Sequence, residues 1–149
     1  MASMSELYQN VILEHNRSPR NYRPMGDASG RAEGDNPLCG DRVTVWLKVE
    51  NDVISDASFQ GAGCAISKAS ASLMTGAVKG KSREEAARLF DCFHRLVTGR
   101  LEAGESETLG KLAVFSGVSE FPVRVKCATL SWHAMAQALG QGGSGAGGQ

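Results

Sequence analysis

The chain has no apolar run of eighteen residues, no C-x-x-C pair, no surplus of either charge and no internal repeat. A membrane helix needs about 20 consecutive apolar residues, so no membrane span is expected. Sixteen basic and sixteen acidic residues give a formal net charge of +0. That balance supports neither nucleic acid nor an anionic membrane surface as the main partner. Met1 to Arg17 is charged and lacks the apolar block of a signal peptide, so a cytoplasmic protein is expected. H-E-x-x-H, and H-x-E with P-C-x-x-C, are missing, which removes the usual signatures of zinc proteases and deaminases. A zinc hydrolase would also need a general base, and the sequence offers no candidate. No histidine stands near Cys39 or Cys64 in the sequence, leaving a cysteine protease without its partner.

What is present fits one domain. At 149 residues and 42% apolar content the chain can bury a sizeable core. Ser3 and Glu6 stand at capping-box spacing before an amphipathic run with Leu7, Tyr8, Val11 and Ile12, predicting a helix over 5–16 that stops at Ser18-Pro19. Residues 17–31 read as irregular, and the turn formers of 34–41 predict a bend. Val43, Val45, Leu47 and Val49 alternate with polar residues, and Asn51-Asp52 turns the chain into a second strand with Val53, Ser55, Ala57 and Phe59. A glycine-rich break precedes Cys64, which opens a helix carrying Ile66, Ala69, Leu73 and Ala77 on one face. Ser82 to Glu85 is a second capping box before Ala86, Leu89, Phe90, Phe93 and Val97. Residues 99–110 read as a mobile connection, followed by a short turn over 112–117. Pro122 suits the first residue of a last helix bearing Val123, Cys127, Leu130, Ala134 and Ala138. The expected class is α+β, a small antiparallel sheet of about three strands against helices, with one domain over 1–139 and a flexible Gly-rich tail over 140–149.

The four cysteines, in a reducing compartment, point to metal binding or catalysis before disulfides. Cys39 and Asp41 are two apart across Gly40, so an extended backbone aims both side chains at one place. Cys64 stands at a helix start, where the dipole favours the thiolate. Cys127 lies near the beginning of the last helix. Three thiolates and a carboxylate can enclose zinc tetrahedrally, with formal charge of about −2, and Arg42, Arg124 and Lys126 are sequence neighbours of these donors. The aspartate's hard oxygen is the natural exchangeable corner of such a set. Spacing alone leaves a second reading open, since a lone buried cysteine behaves as a small hydrophobe. Cys92, among Leu89, Phe93 and Leu96, reads as core. His133 is about 240° around the helix from Cys127 and is not read as its partner. His15 ends the first helix, where a cation suits the dipole, and His94 has no nameable partner.

Gly34-Asp35-Asn36-Pro37-Leu38-Cys39-Gly40-Asp41, Gly61-Ala62-Gly63-Cys64-Ala65-Ile66-Ser67 and Arg124-Val125-Lys126-Cys127-Ala128-Thr129-Leu130-Ser131-Trp132 resemble the three cysteine motifs of the IscU/NifU-like iron–sulfur assembly family. Leu7-Tyr8 through Pro19-Arg20-Asn21 resembles that family's N-terminal helix and the loop after it. The segment between the second and third motifs, and Lys126 where IscU-type scaffolds carry a histidine, place the resemblance in the SufU branch. It implies an IscU/SufU-like fold and a zinc-dependent sulfurtransferase that takes persulfide sulfur from a SufS-type cysteine desulfurase and passes it to an iron–sulfur scaffold or other acceptor. It implies zinc ligands at Cys39, Asp41, Cys64 and Cys127, with Cys39 as sulfur acceptor. The alternative within the resemblance is a non-enzymatic scaffold that builds a [2Fe–2S] cluster on the same four side chains.

Overall fold

The structure, a computed structural model, describes residues 4–37, 40–102 and 104–141. The chain runs α1 (Met4–Arg17), β1 (Gly30–Asn36), β2 (Asp41–Glu50), β3 (Val53–Ala62), α2 (Ala65–Val78), α3 (Arg83–Val97), α4 (Ser106–Leu109), a stretch of 3₁₀ helix (Gly110–Glu120) and α5 (Pro122–Gln141). The three strands form an antiparallel meander in the order β1-β2-β3, and the α+β expectation holds. Asn51 and Asp52 both take positive φ, 52° and 65°, in the two-residue turn that joins β2 to β3.

β2 carries the plainest signal. Asp41, Val43, Val45 and Leu47 face inward and are buried, while the residues between them are more exposed. The sheet has the three strands expected, but the position of β1 was not foreseen. Residues 34–36 continue a strand instead of bending, and the segment expected to be irregular as far as 31 gives way to that strand at Gly30. Its inward residues are Gly30, Ala32 and Asn36, too small to advertise a core face. Their size is what α5 requires. A side chain at Gly30 would strike the Ala138 carbonyl, and one at Gly34 would press on Leu130 at 3.0 Å. The helix therefore runs antiparallel along β1, with 30 beside 138, 34 beside 130 and Asn36 beside Cys127.

Behind the sheet the helices close one core. Trp132 is fully buried, stacks on Phe93 with centroids 4.7 Å apart, and donates its Nε1–H to Ser70 Oγ at 3.1 Å. Ser70 in turn donates to the Ala128 carbonyl at 2.5 Å, so α2, α3 and α5 share one junction. Both arms of the Ser82–Glu85 capping box are made, at 2.9 and 3.1 Å. Ser3, of the first capping box, lies outside the described residues, as does 142–149 of the expected tail, whose first two residues extend α5. The expected mobile connection holds α4 and is tied back by the Arg95–Glu105 ion pair. The turn expected over 112–117 is the 3₁₀ stretch, whose buried residues Leu112, Phe115 and Val118 recur every third position. Cys92 is buried core, and burial pushes its thiol above the usual range.

His15 is corrected. It is 7% exposed, not a solvated cation at a helix end. Its Nδ1 pairs with Ser72 Oγ at 2.6 Å, and the same oxygen accepts the Arg20 N–H at 2.7 Å, tying α1 and the following loop to α2. Burial, then the Arg20 charge, hold its pKa below the ordinary value of about 6.5. The unfolded chain therefore takes up this proton at higher pH than the folded one, and stability rises with pH in this window. The contribution is complete above about pH 6.5 and is lost progressively as pH falls below it. Urea unfolding at pH 7.5 and pH 5.5 should show wild type losing stability on acidification, with His15→Gln losing less. Equal losses would remove His15 as a source.

Candidate metal centre

Three separated segments deliver donors to one point. Asp41 is the first residue of β2, and the alternation that turns Val43, Val45 and Leu47 inward carries its carboxylate inward too, at 0% exposure. Cys64 is the N-cap of α2, its sulfur accepting the Ser67 N–H at 3.4 Å. Cys127 sits in the second turn of α5 and is 2% exposed. One ligand atom from each lies within 4.8 Å of the other two. Cys39 lies outside the described residues; beside it in the sequence, the Gly40 N–H donates to the Asn36 carbonyl at 2.8 Å, with Gly40 at φ 72°.

The two oxygens of Asp41 have different surroundings. Oδ1 accepts the Cys64 backbone N–H at 2.7 Å, and Oδ2 lies 3.8 Å from the Cys64 sulfur. Gly63 makes this approach possible. Its φ is 143°, and a side chain there would occupy the space of the Asp41 carboxylate.

The donor set fits a soft divalent cation. Tetrahedral zinc with Zn–S of about 2.3 Å sets neighbouring sulfurs ~3.8 Å apart; Cys64 Sγ lies 3.8 Å from Asp41 Oδ2, and all three donor atoms lie within 4.8 Å of one another. Among the described residues Asp41 has no ion-pair partner, although a buried carboxylate without a counter-charge is costly. The basic residues expected to supply that charge turn elsewhere. The Arg42 guanidinium is exposed and lies 3.7 Å from Asp35, the Arg124 guanidinium lies over the Phe121 ring, and Lys126 is exposed. A cation held by the three donors would supply the missing charge.

The centre opens on a groove of about 560 Å³, and Cys64 and Cys127 form part of its wall. Ile12 and Leu13 of α1, Ile66 of α2, and Val123 and Arg124 of α5 are also in its lining, and Leu13 and Val123 are 55% and 54% exposed. This approach escaped the sequence reading, because Val123 reads as part of the core face of the last helix and Leu13 lies outside the amphipathic set named for the first. His133 and His94 stand apart from the centre on Phe90, with ring centroids 6.5 Å from each other.

The family model for the NifU-like N-terminal domain matches residues 7–128. The chain belongs to that family. Within the family it is 44% identical, over 134 residues, to the zinc-dependent sulfurtransferase SufU of Bacillus subtilis (strain 168), covering 90% of each chain. It is 39% identical, over 139 residues, to the iron–sulfur cluster assembly scaffold protein IscU of Streptococcus pyogenes serotype M1, covering 93% of this chain and 86% of that one. The crystal structure of a protein from Fervidobacterium islandicum AW-1, proposed as an iron–sulfur assembly scaffold for the SUF system, superposes with a TM-score of 0.82 at 33% identity, covering 89% of this chain and 96% of that one. The family resemblance and fold class read from the cysteine motifs are borne out.

Gly63→Ala should destabilise the metal-free protein by about 1–3 kcal/mol through strained backbone and a displaced Asp41. Gly76→Ala, in α2 with nothing within 4 Å of the added carbon, should instead stabilise by up to about 1 kcal/mol. Urea unfolding of the pair checks both signs.

Proposed function

We propose that the protein is a zinc-dependent sulfurtransferase of iron–sulfur cluster assembly, taking persulfide sulfur from a SufS-type cysteine desulfurase onto Cys39. The observation that carries this reading is the convergence of Asp41, Cys64 and Cys127 beside an open groove. The similarity to SufU of B. subtilis supports zinc as the resident ion. Cys39 is proposed as the fourth ligand. Two residues of chain carry its Cα no further than about 7 Å from that of Asp41. No described helix is long and apolar enough to cross a membrane, and a cytoplasmic site of action is part of the proposal.

Bound zinc would keep the thiols as thiolates and shield them from oxidation. The chain's own residues divide the rest of the work. Cys64 is fixed by its capping role, Cys127 by its place in α5, and Asp41 by the Cys64 N–H. Cys39, which falls in the sequence between the paired residues Asn36 and Asp41, is the ligand proposed to move. Its thiolate attacks the outer sulfur of the partner's cysteine persulfide. The partner's S–S bond breaks, the partner departs as a thiolate, and a new S–S bond leaves Cys39 as the persulfide, with no net oxidation.

Desulfurase turnover measured with and without the protein, before and after zinc removal, tests the reading. Stimulation that disappears with zinc and returns on reloading is expected. Cys39→Ala should reduce sulfur acceptance to background, and Asp41→Ala should weaken zinc at least about tenfold. Full sulfur acceptance by Cys39→Ala removes the assigned acceptor. Anaerobic reconstitution of a stable [2Fe–2S] cluster that transfers to an apo-acceptor would favour the scaffold reading, which the similarity to IscU of S. pyogenes keeps in view.

A further inference from the structure

Asn36 places a buried amide against one of the candidate ligands without belonging to the donor set. It is the last residue of β1, 6% exposed, and its Nδ2 donates toward the Cys127 sulfur over 3.9 Å. The main chain of Asn36 has separate tasks: its carbonyl accepts the Gly40 N–H at 2.8 Å, and it pairs with Asp41 in the ladder. The inward positions before it, Gly30 and Ala32, hold small apolar residues, and a buried amide among them is costly unless bonded. The geometry supplies the bond. Because α5 runs antiparallel along β1, Asn36 reaches the turn of α5 that carries Cys127. Cys64 has a matching donor in the Ser67 N–H. Hydrogen bonds to ligand sulfur orient it and draw charge from it, which tunes both its hold on a metal and its nucleophilicity.

We propose that Asn36 is a positioning residue of the metal centre, whose amide holds the Cys127 sulfur in place and withdraws charge from it. Cys127 is thereby kept as a resident ligand and is disfavoured as a competing sulfur acceptor beside Cys39. The proposal rests on the zinc-centre reading above. It is tested on the full chain with Asn36→Leu, which keeps similar volume and removes the donor. Three quantities are read: zinc affinity by chelator competition, the thiolate-to-cobalt absorption of the Co²⁺-substituted protein, and thermal stability of the metal-free form. The expected result is zinc binding weakened about 10- to 100-fold, with the charge-transfer band moved to lower energy as the sulfur regains charge. A purely structural role would lower metal-free stability and leave the band where it is. Asn36→Ala serves the same comparison if the leucine variant does not fold. Unchanged affinity and an unchanged band in the folded variant overturn the proposal. Wild type that takes up neither zinc nor cobalt through sulfur overturns the metal-centre reading itself, and this inference falls with it.

Discussion

The hydrogen bond from the Cys64 backbone N–H to Asp41 Oδ1, 2.7 Å long and partly buried, joins the start of β2 to the start of α2. Much of the centre's geometry follows from it. It fixes where the helix bearing Cys64 begins, and it requires Gly63, because the carboxylate fills the space a side chain would take. It also leaves the sheet face and the first turn of α2 meeting at one point, where α5 brings Cys127. Cys64 then caps α2 by accepting the Ser67 N–H on its sulfur, so the thiol is both a structural acceptor and a candidate ligand. Among the described residues this carboxylate has no ion-pair partner, and with two thiols within reach it forms a site that calls for positive charge.

How much of this was legible in the chain depended on which physical signal each segment carries. β2 was legible because Val43, Val45 and Leu47 bury on a two-residue period, and stepping that period back by one place reaches Asp41. α3 and α5 were legible at their starts, where the Ser82–Glu85 box and Pro122 answer the unpaired N–H groups of a first turn. β1 was hidden because it pairs with β2 on one edge and lies under α5, and close approach by a helix selects glycine and alanine over the branched residues that mark strands. The 3₁₀ stretch had a signal of its own, Leu112, Phe115 and Val118 at intervals of three, which an α-helical period of 3.6 passes over. His15 was misplaced because its sequence position reports the helix end, while its burial comes from Ser72, 57 residues away.

The centre's location explains why spacing could not settle it. Ordinary zinc knuckles draw paired ligands from one turn, and the pair is visible as C-x-x-C. Here the described donors come from a strand start, a helix cap and a helix interior, 23 and 63 residues apart (41 to 64, and 64 to 127). Only the packing of α2 and α5 on the sheet brings them together, so the site exists once the core has formed. The junction of Trp132, Ser70 and Ala128 lies along the same helices and holds them at the separation the donors need. Binding a cation there would in turn stabilise the packed state over the unfolded one.

The carboxylate's asymmetry bears on what kind of ligand Asp41 can be. Oδ1 is committed to a backbone N–H, which leaves Oδ2 as the oxygen on the sulfur side, 3.8 Å from Cys64 Sγ. A cation among the sulfurs would therefore meet one oxygen, not two, and a single hard oxygen is a weak hold on a thiophilic metal. The same backbone bond keeps the carboxylate from swinging away when that hold is broken. A ligand that binds weakly yet stays in place allows the coordination around it to change without loss of the site's shape. Cys64 and Cys127, each with an N–H aimed at its sulfur, are restrained in another way: their charge is partly drawn off and their orientation set. In the sulfur transfer proposed above, the sulfur that leaves and returns is then the remaining proposed donor, Cys39.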